Sequence, residues 1–150
     1  NISIKIVRKQ KNERAKFHEV IIQILNNNDR ENEFEMNVRD YIKLEDEVFT
    51  ALVIERVTDK YLSVAHHKKQ NGDIMIDPEI VFDISHDPWL PVAYESGLQY
   101  EEDPDGIQVD DLVEVCGNLD KQGFTEKTGG ALWFTAQQDP PVVRQSPQQQ

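Results

Sequence analysis

His66, Asp77 and Glu79 are the side chains of this chain best suited to chemistry, and all three fall in the short stretch from His66 to Glu79. A carboxylate can orient an imidazole and raise its pKa, so such a pair can move protons near neutral pH. The same residue types can also ligate a cation. Either role requires the three to meet on one surface.

The spacing says how they would meet. Asn71-Gly72 stands between two apolar segments and specifies a two-residue type I′ turn, because both central residues of that turn need φ > 0. Gln70 then faces Asp73, and counting back along the ladder sets His66 opposite Asp77. The two-residue period places Met75, Asp77 and Glu79 on one face with His66 and Lys68. Pro78 has no amide hydrogen to give a ladder, so its position must be an edge or a bulge. Ordinary structural roles fit the same residues: Asp73 bonds turn amides, Asp77 caps the bend before Pro78, and His66 pairs with a carboxylate across the strands. The chain has no His-x-x-x-His or Cys-x-x-Cys spacing, and the neighbours His66 and His67 point to opposite faces of a strand. No metal and no cofactor is therefore expected, and no phosphate loop or nucleophile elbow supports catalysis. Cys116, the sole cysteine, sits on an apolar stripe and reads as an inert buried thiol.

The elements that must hold this hairpin follow from hydrophobic periodicity. Ile2 to Ile6 alternate like a short strand. Phe17, Val20, Ile21, Ile24 and Leu25 share one face of a helix over about Asn12 to Leu25, with Arg14, His18 and Gln23 outward. Asn26 to Asp29 should end it, since Asn and Asp tolerate left-handed geometry. Phe34, Met36 and Val38 alternate as a strand would, and Tyr41–Leu44, Phe49–Val57, Tyr61–His67, Ile74–Ile84, Trp89–Tyr94 and Leu98–Glu101 read as further strands. A second helix is signalled by Asp110 or Asp111 with Glu114, carrying Leu112, Val115, Cys116 and Leu119 and stopping near Gly123. The expected fold is α+β, an antiparallel meander of five or six strands with an N-terminal and a C-terminal helix on one face and the other face open. Residues 1–10 form a basic segment, 11–136 one domain, and 137–150 a Pro/Gln-rich tail too polar to order itself.

Charge is the other guide. The net charge is −12, but residues 1 to 30 carry +4 while residues 31 to 120 carry −17. An acidic body repels nucleic acid and attracts basic protein surfaces, with rates that depend on salt. Glu101, Glu102, Asp103, Asp105, Asp110 and Asp111 make its densest edge, a candidate binding surface. Nucleic acid is expected to be contacted only through the basic N-terminal segment. No apolar run nears the ~20 residues that span a bilayer, and no export leader is visible, so a cytoplasmic protein without a membrane partner is expected.

The stretch Ala65-His66-His67-Lys68-Lys69-Gln70-Asn71-Gly72-Asp73-Ile74-Met75-Ile76-Asp77-Pro78-Glu79-Ile80 resembles the hairpin of an uncharacterised small bacterial domain family of conjugative plasmids, integrative elements and phages. That family's pattern reads Ala-His-Tyr, two variable residues, Gln-Asn-Gly-Asp-Leu-Met, one variable residue, then Asp-Pro-Glu-Met. The resemblance extends over about residues 41 to 124 through Tyr41–Leu44, Leu52–Glu55, Trp89–Val92, Gly97–Glu101 and Lys121–Phe124. His67 and Lys69 depart from it, standing where a Tyr and an acidic residue would be expected. It implies an α+β fold and a mobile-element setting, and no reaction.

The functional expectation is a non-enzymatic module that binds a host or element protein with a basic surface. Its sharper form is an acidic mimic of nucleic acid that blocks a defence nuclease, in the manner of anti-restriction or anti-CRISPR proteins. The alternatives are a small metal-dependent or acid-base hydrolase centred on His66, Asp77 and Glu79, and nucleic-acid contact through the basic head.

Overall fold

The computed structural model describes residues 2–45, 50–97, 99–109 and 132–134. One helix, α1 (Ile2–Asn27), comes first. The strand expected over Ile2 to Ile6 is instead the start of α1, and the expected boundary at residue 10 falls inside it. Nothing between Ile2 and Leu25 breaks a helix: there is no Gly or Pro, and Lys, Arg, Gln, Glu and Ala are good helix formers. Once the second half is packed, adding turns avoids the nucleation cost, and five alternating residues cannot compete with that. The polar stop behaves as expected. Asp29 adopts φ 69°, and the Asn28 and Arg30 amides both donate to the Leu25 carbonyl, at 3.0 and 2.9 Å.

The strand expected over Phe34 to Val38 is a 3-10 turn (Glu33–Glu35) followed by an irregular segment. Local side chains capture its backbone: Asn32 Oδ1 accepts from the Phe34 amide at 2.9 Å and Glu35 Oε1 from the Glu31 amide at 2.7 Å. Such bonds compete directly with a ladder. Only Met36 of the alternating set is buried, while Phe34 and Val38 are exposed.

The sheet follows. β1 (Tyr41–Glu45), β2 (Thr50–Arg56), β3 (Tyr61–Gln70), β4 (Asp73–Asp83), β5 (Leu90–Ser96) and β6 (Gln99–Glu102) form a six-stranded antiparallel meander. β7 (Leu132–Phe134) joins beside β1, giving the order β6-β5-β4-β3-β2-β1-β7. The helix expected over Asp110 to Gly123 and the tail 137–150 lie outside the described residues.

One face of the sheet packs on α1. Ile42, Ile54, Val64 and Ile80 stand in one cross-strand row and join Leu44, Leu52, Leu62 and Phe82 against Phe17, Ile21, Ile24 and Leu25. Phe17 stacks on Phe82 with ring centroids 5.1 Å apart, Phe82 meets Trp89 at 5.9 Å, and Trp89 stacks on the His18 ring at 4.1 Å. This column of rings clamps helix to sheet. Arg14 adds two bonds from α1, Nε to the Trp89 carbonyl at 3.0 Å and Nη2 to the Pro88 carbonyl at 2.7 Å. Arg14 and His18, expected to face outward, are therefore half-buried parts of the clamp. The opposite face is not wholly open either, because Tyr41, Val53, Ser63, Ala65, His67, Glu79 and Glu95 on it are buried.

Candidate functional site

The β3–β4 hairpin forms with the expected turn, Asn71 at φ 53° and Gly72 at φ 85°, and Gln70 pairs with Asp73. Pairing continues regularly to His67 and Ile76, then slips: Ala65 pairs with Glu79, so His66 alone spans Asp77 and Pro78. This is the bulge that Pro78 demands. Its consequence overturns the face assignment drawn from strict alternation. One extra residue on β4 shifts the phase, so Glu79 stands on the same face as Ser63 and Ala65. His66 lies on the other face, in line with Leu62 and Val64 and opposite Leu52, toward the α1 core. His66 and Glu79 are thus on opposite sides of the sheet. The side chain of Asp77 lies outside what is described, as do Asp110 and Asp111. Among the described residues no group of three or more His, Cys, Asp and Glu side chains is placed to hold a metal ion.

What Glu79 does join was not visible in the sequence. Two cross-strand rows run over the face away from α1 at the β4–β5–β6 end of the sheet. One is Ala65, Glu79, Glu95, Tyr100 and the next is Ser63, Val81, Ala93, Glu102. Glu79 and Glu95 are directly opposed partners and both are buried, at 8% and 3% exposure. Ser63 Oγ donates to Glu79 Oε2 at 2.5 Å, and the Tyr100 hydroxyl donates to Glu102 Oε2. Glu79, Glu95, Tyr100 and Glu102, with Tyr61 and Val81, line a concavity of about 400 Å³. Beyond its lip the chain continues as Glu101, Glu102, Asp103 and Asp105, all exposed. The Asp105 amide donates to Asp103 Oδ1 at 2.9 Å, which holds these two aspartates in a tight turn after β6. Of the expected acidic edge, Glu102 lines the concavity, whereas Glu101 pairs with Tyr94 in the row of Ile80 on the α1 side of the sheet and Asp105 lines a second concavity with Lys11 and Arg14 of α1.

Glu95 could have been found only from register. It follows Ala93 and Tyr94 in an unremarkable strand, and placing it opposite Glu79 requires knowing that the β4–β5 ladder slips between Val81 and Phe82. No local pattern announces that slip.

A family model described as a domain of unknown function (DUF6908) matches residues 16–122. The chain belongs to the DUF6908 family. No curated protein and no solved structure shows a significant match. The DUF6908 match begins within α1, earlier than the resemblance read from the hairpin, and so takes in the helix residues that complete the core. It also spans Glu79, Glu95 and the acids from Glu101 to Asp105. No helix among the described residues of this DUF6908 chain is long and apolar enough to cross a membrane.

A concavity so lined can receive a cation. Two carboxylates set opposite one another in a partly desolvated space repel unless a cation or a shared proton lies between them, and charge-assisted bonds to a guanidinium or ammonium are about twice as strong as neutral ones. Tyr61 and Tyr100 add aromatic faces, which such cations also favour.

Proposed function

We propose that the protein is a non-enzymatic interaction module that captures a basic protein surface through the Glu79–Glu95 concavity and the exposed acids that rim this edge of the sheet, Glu101, Glu102, Asp103 and Asp105. The observation that supports this reading is the opposition of Glu79 and Glu95 in a concavity that Glu102 also lines, at the end of the sheet where the other exposed acids lie. A basic side chain of the partner enters the concavity, and neighbouring cations pair with Glu101, Glu102, Asp103 and Asp105. The excess of acid over residues 31 to 120 steers such a partner from a distance. The sharper form is mimicry, with the rim acids standing where a basic nuclease cleft expects phosphates, and the setting is a mobile genetic element and the bacterial cytoplasm.

Immobilised protein should retain one basic host protein in stoichiometric amount from a bacterial lysate at 50 mM salt. The quadruple variant Glu101→Gln, Glu102→Gln, Asp103→Asn, Asp105→Asn should lose it, because all four sites are exposed and the amides keep the local acceptors. Equal retention by wild type and variant would contradict the proposal.

A further inference from the structure

We infer that the exposed cations of α1 form a docking surface for the phosphate backbone of double-stranded DNA. Lys5, Arg8, Lys9, Lys11 and Lys16 are all exposed, and among the described residues none of them takes part in an ion pair. At 1.5 Å per residue the five are spread over about 16 Å of helix axis. Lys5, Lys9 and Lys16 fall within about 40° of one another around that axis, roughly 120° from the middle of the stripe that enters the core. They therefore line one outward face.

The helix is stiff where it matters. Gln10, Lys11, Glu13 and Arg14 border a concavity whose other wall is the segment from Asp105 to Val109, and Arg14 is bonded to the Pro88 and Trp89 carbonyls. The turns before Gln10 carry Lys5, Arg8 and Lys9 as the continuation of this anchored rod. Cations held in fixed register suit a regular polyanion, and B-DNA offers about one phosphate per 1.7 Å of axis, or about ten over the same length. An α-helix about 10–12 Å across also matches the roughly 12 Å major groove, whereas the A-form groove of duplex RNA is too narrow. A membrane surface fits less well, because an interfacial helix needs a free apolar face. Phe17, Ile21, Ile24 and Leu25 of α1 are consumed by the core, which leaves Ile4 as the one exposed large apolar side chain described on this helix. The acidic body is repelled by the duplex, which favours approach with the basic end of α1 leading.

The test uses the full chain and a fluorescein-labelled 20-base-pair DNA duplex of mixed sequence, read by anisotropy at several salt concentrations. With four to five phosphates neutralised, log K should fall with log salt at a slope of about −4, which is about a 10²-fold loss between 50 and 200 mM. The variant Lys5→Gln, Lys9→Gln, Lys16→Gln should bind at least tenfold more weakly, with a slope of about −1 to −2, at unchanged helix content by circular dichroism. Glu101→Gln with Glu102→Gln should leave duplex binding intact or tighten it, so the fate of this surface is read independently of the acidic site. Three results would each overturn the inference. They are no anisotropy change for the wild type at 50 mM salt, equal binding by the lysine variant, or stronger binding to vesicles with 30% phosphatidylserine than to the duplex. Sedimentation showing that the lysines instead mediate self-association would overturn it as well.

Discussion

Replacing Arg14 by Met keeps most of the aliphatic stem and removes the two bonds that tie α1 to the Pro88–Trp89 backbone, at 2.7 and 3.0 Å. Hydrogen bonds from a charged donor contribute about 1.5–3 kcal/mol each, and the half-buried setting places this pair toward the lower figure. The expected cost is about 2–4 kcal/mol, since the carbonyls also lose their donor. Urea denaturation followed by circular dichroism measures it, with an unchanged m-value showing that the denatured state is not altered. Arg14→Lys should recover less than half, because an ammonium is a point donor and cannot span two carbonyls in a fork. A loss below about 0.5 kcal/mol for Arg14→Met would refute the clamp, since that is the range of ordinary surface substitutions. The same clamp sets the direction of the basic end of α1, so Arg14→Met should also weaken binding of a DNA duplex.

Phe82→Ala opens the ring column between Phe17 and Trp89 and should cost about 3–5 kcal/mol in thermal or urea unfolding; a cost under 1.5 would mean that the rings are not packed as described. Burial holds the His18 imidazole below its ordinary 6.5, against the pull of Glu33, Asp87 and Glu19. The unfolded chain then takes up this proton first, so the neutral-His18 contribution is complete above pH 6.5 and is lost as pH falls toward the folded pKa. His18→Phe keeps a ring on Trp89 and should flatten that part of the stability profile; parallel profiles for wild type and variant would show that His18 is not the group responsible. Gly106→Ala should cost more than Gly72→Ala, although both sit at positive φ, because a Cβ at 106 would lie 2.9 Å from Leu90 Cδ1 while one at 72 meets nothing within 4 Å. Equal melting temperatures for the two variants would contradict this ordering.

The sequence announced what short-range chemistry determines. Asn71-Gly72 and Pro78 are local instructions, and the turn and the bulge both formed. The apolar runs of β1 to β6 and the stripe from Phe17 to Leu25 were legible for the same reason. What failed was extrapolation across irregularity. A single bulge at Pro78 sends Glu79 and His66 to opposite faces, and a second slip at Val81 and Phe82 hides Glu95 from any count. Alternation at Ile2–Ile6 and Phe34–Val38 was too short to resist a helix already nucleated on one side and side-chain bonds to the backbone on the other. Glu101 to Asp105 were legible as acidic composition, whereas Glu79 and Glu95 came together only through the pairing of distant strands.

The central claim is that the Glu79–Glu95 concavity and its rim bind a basic partner by charge. Calorimetric titration of the captured partner against wild type and the quadruple rim variant, repeated at 50, 100 and 200 mM salt, tests it most directly. The expected result is wild-type affinity that falls steeply with salt and a variant that is at least tenfold weaker and much less salt-sensitive. Equal affinities and equal salt dependence in the two proteins would contradict it.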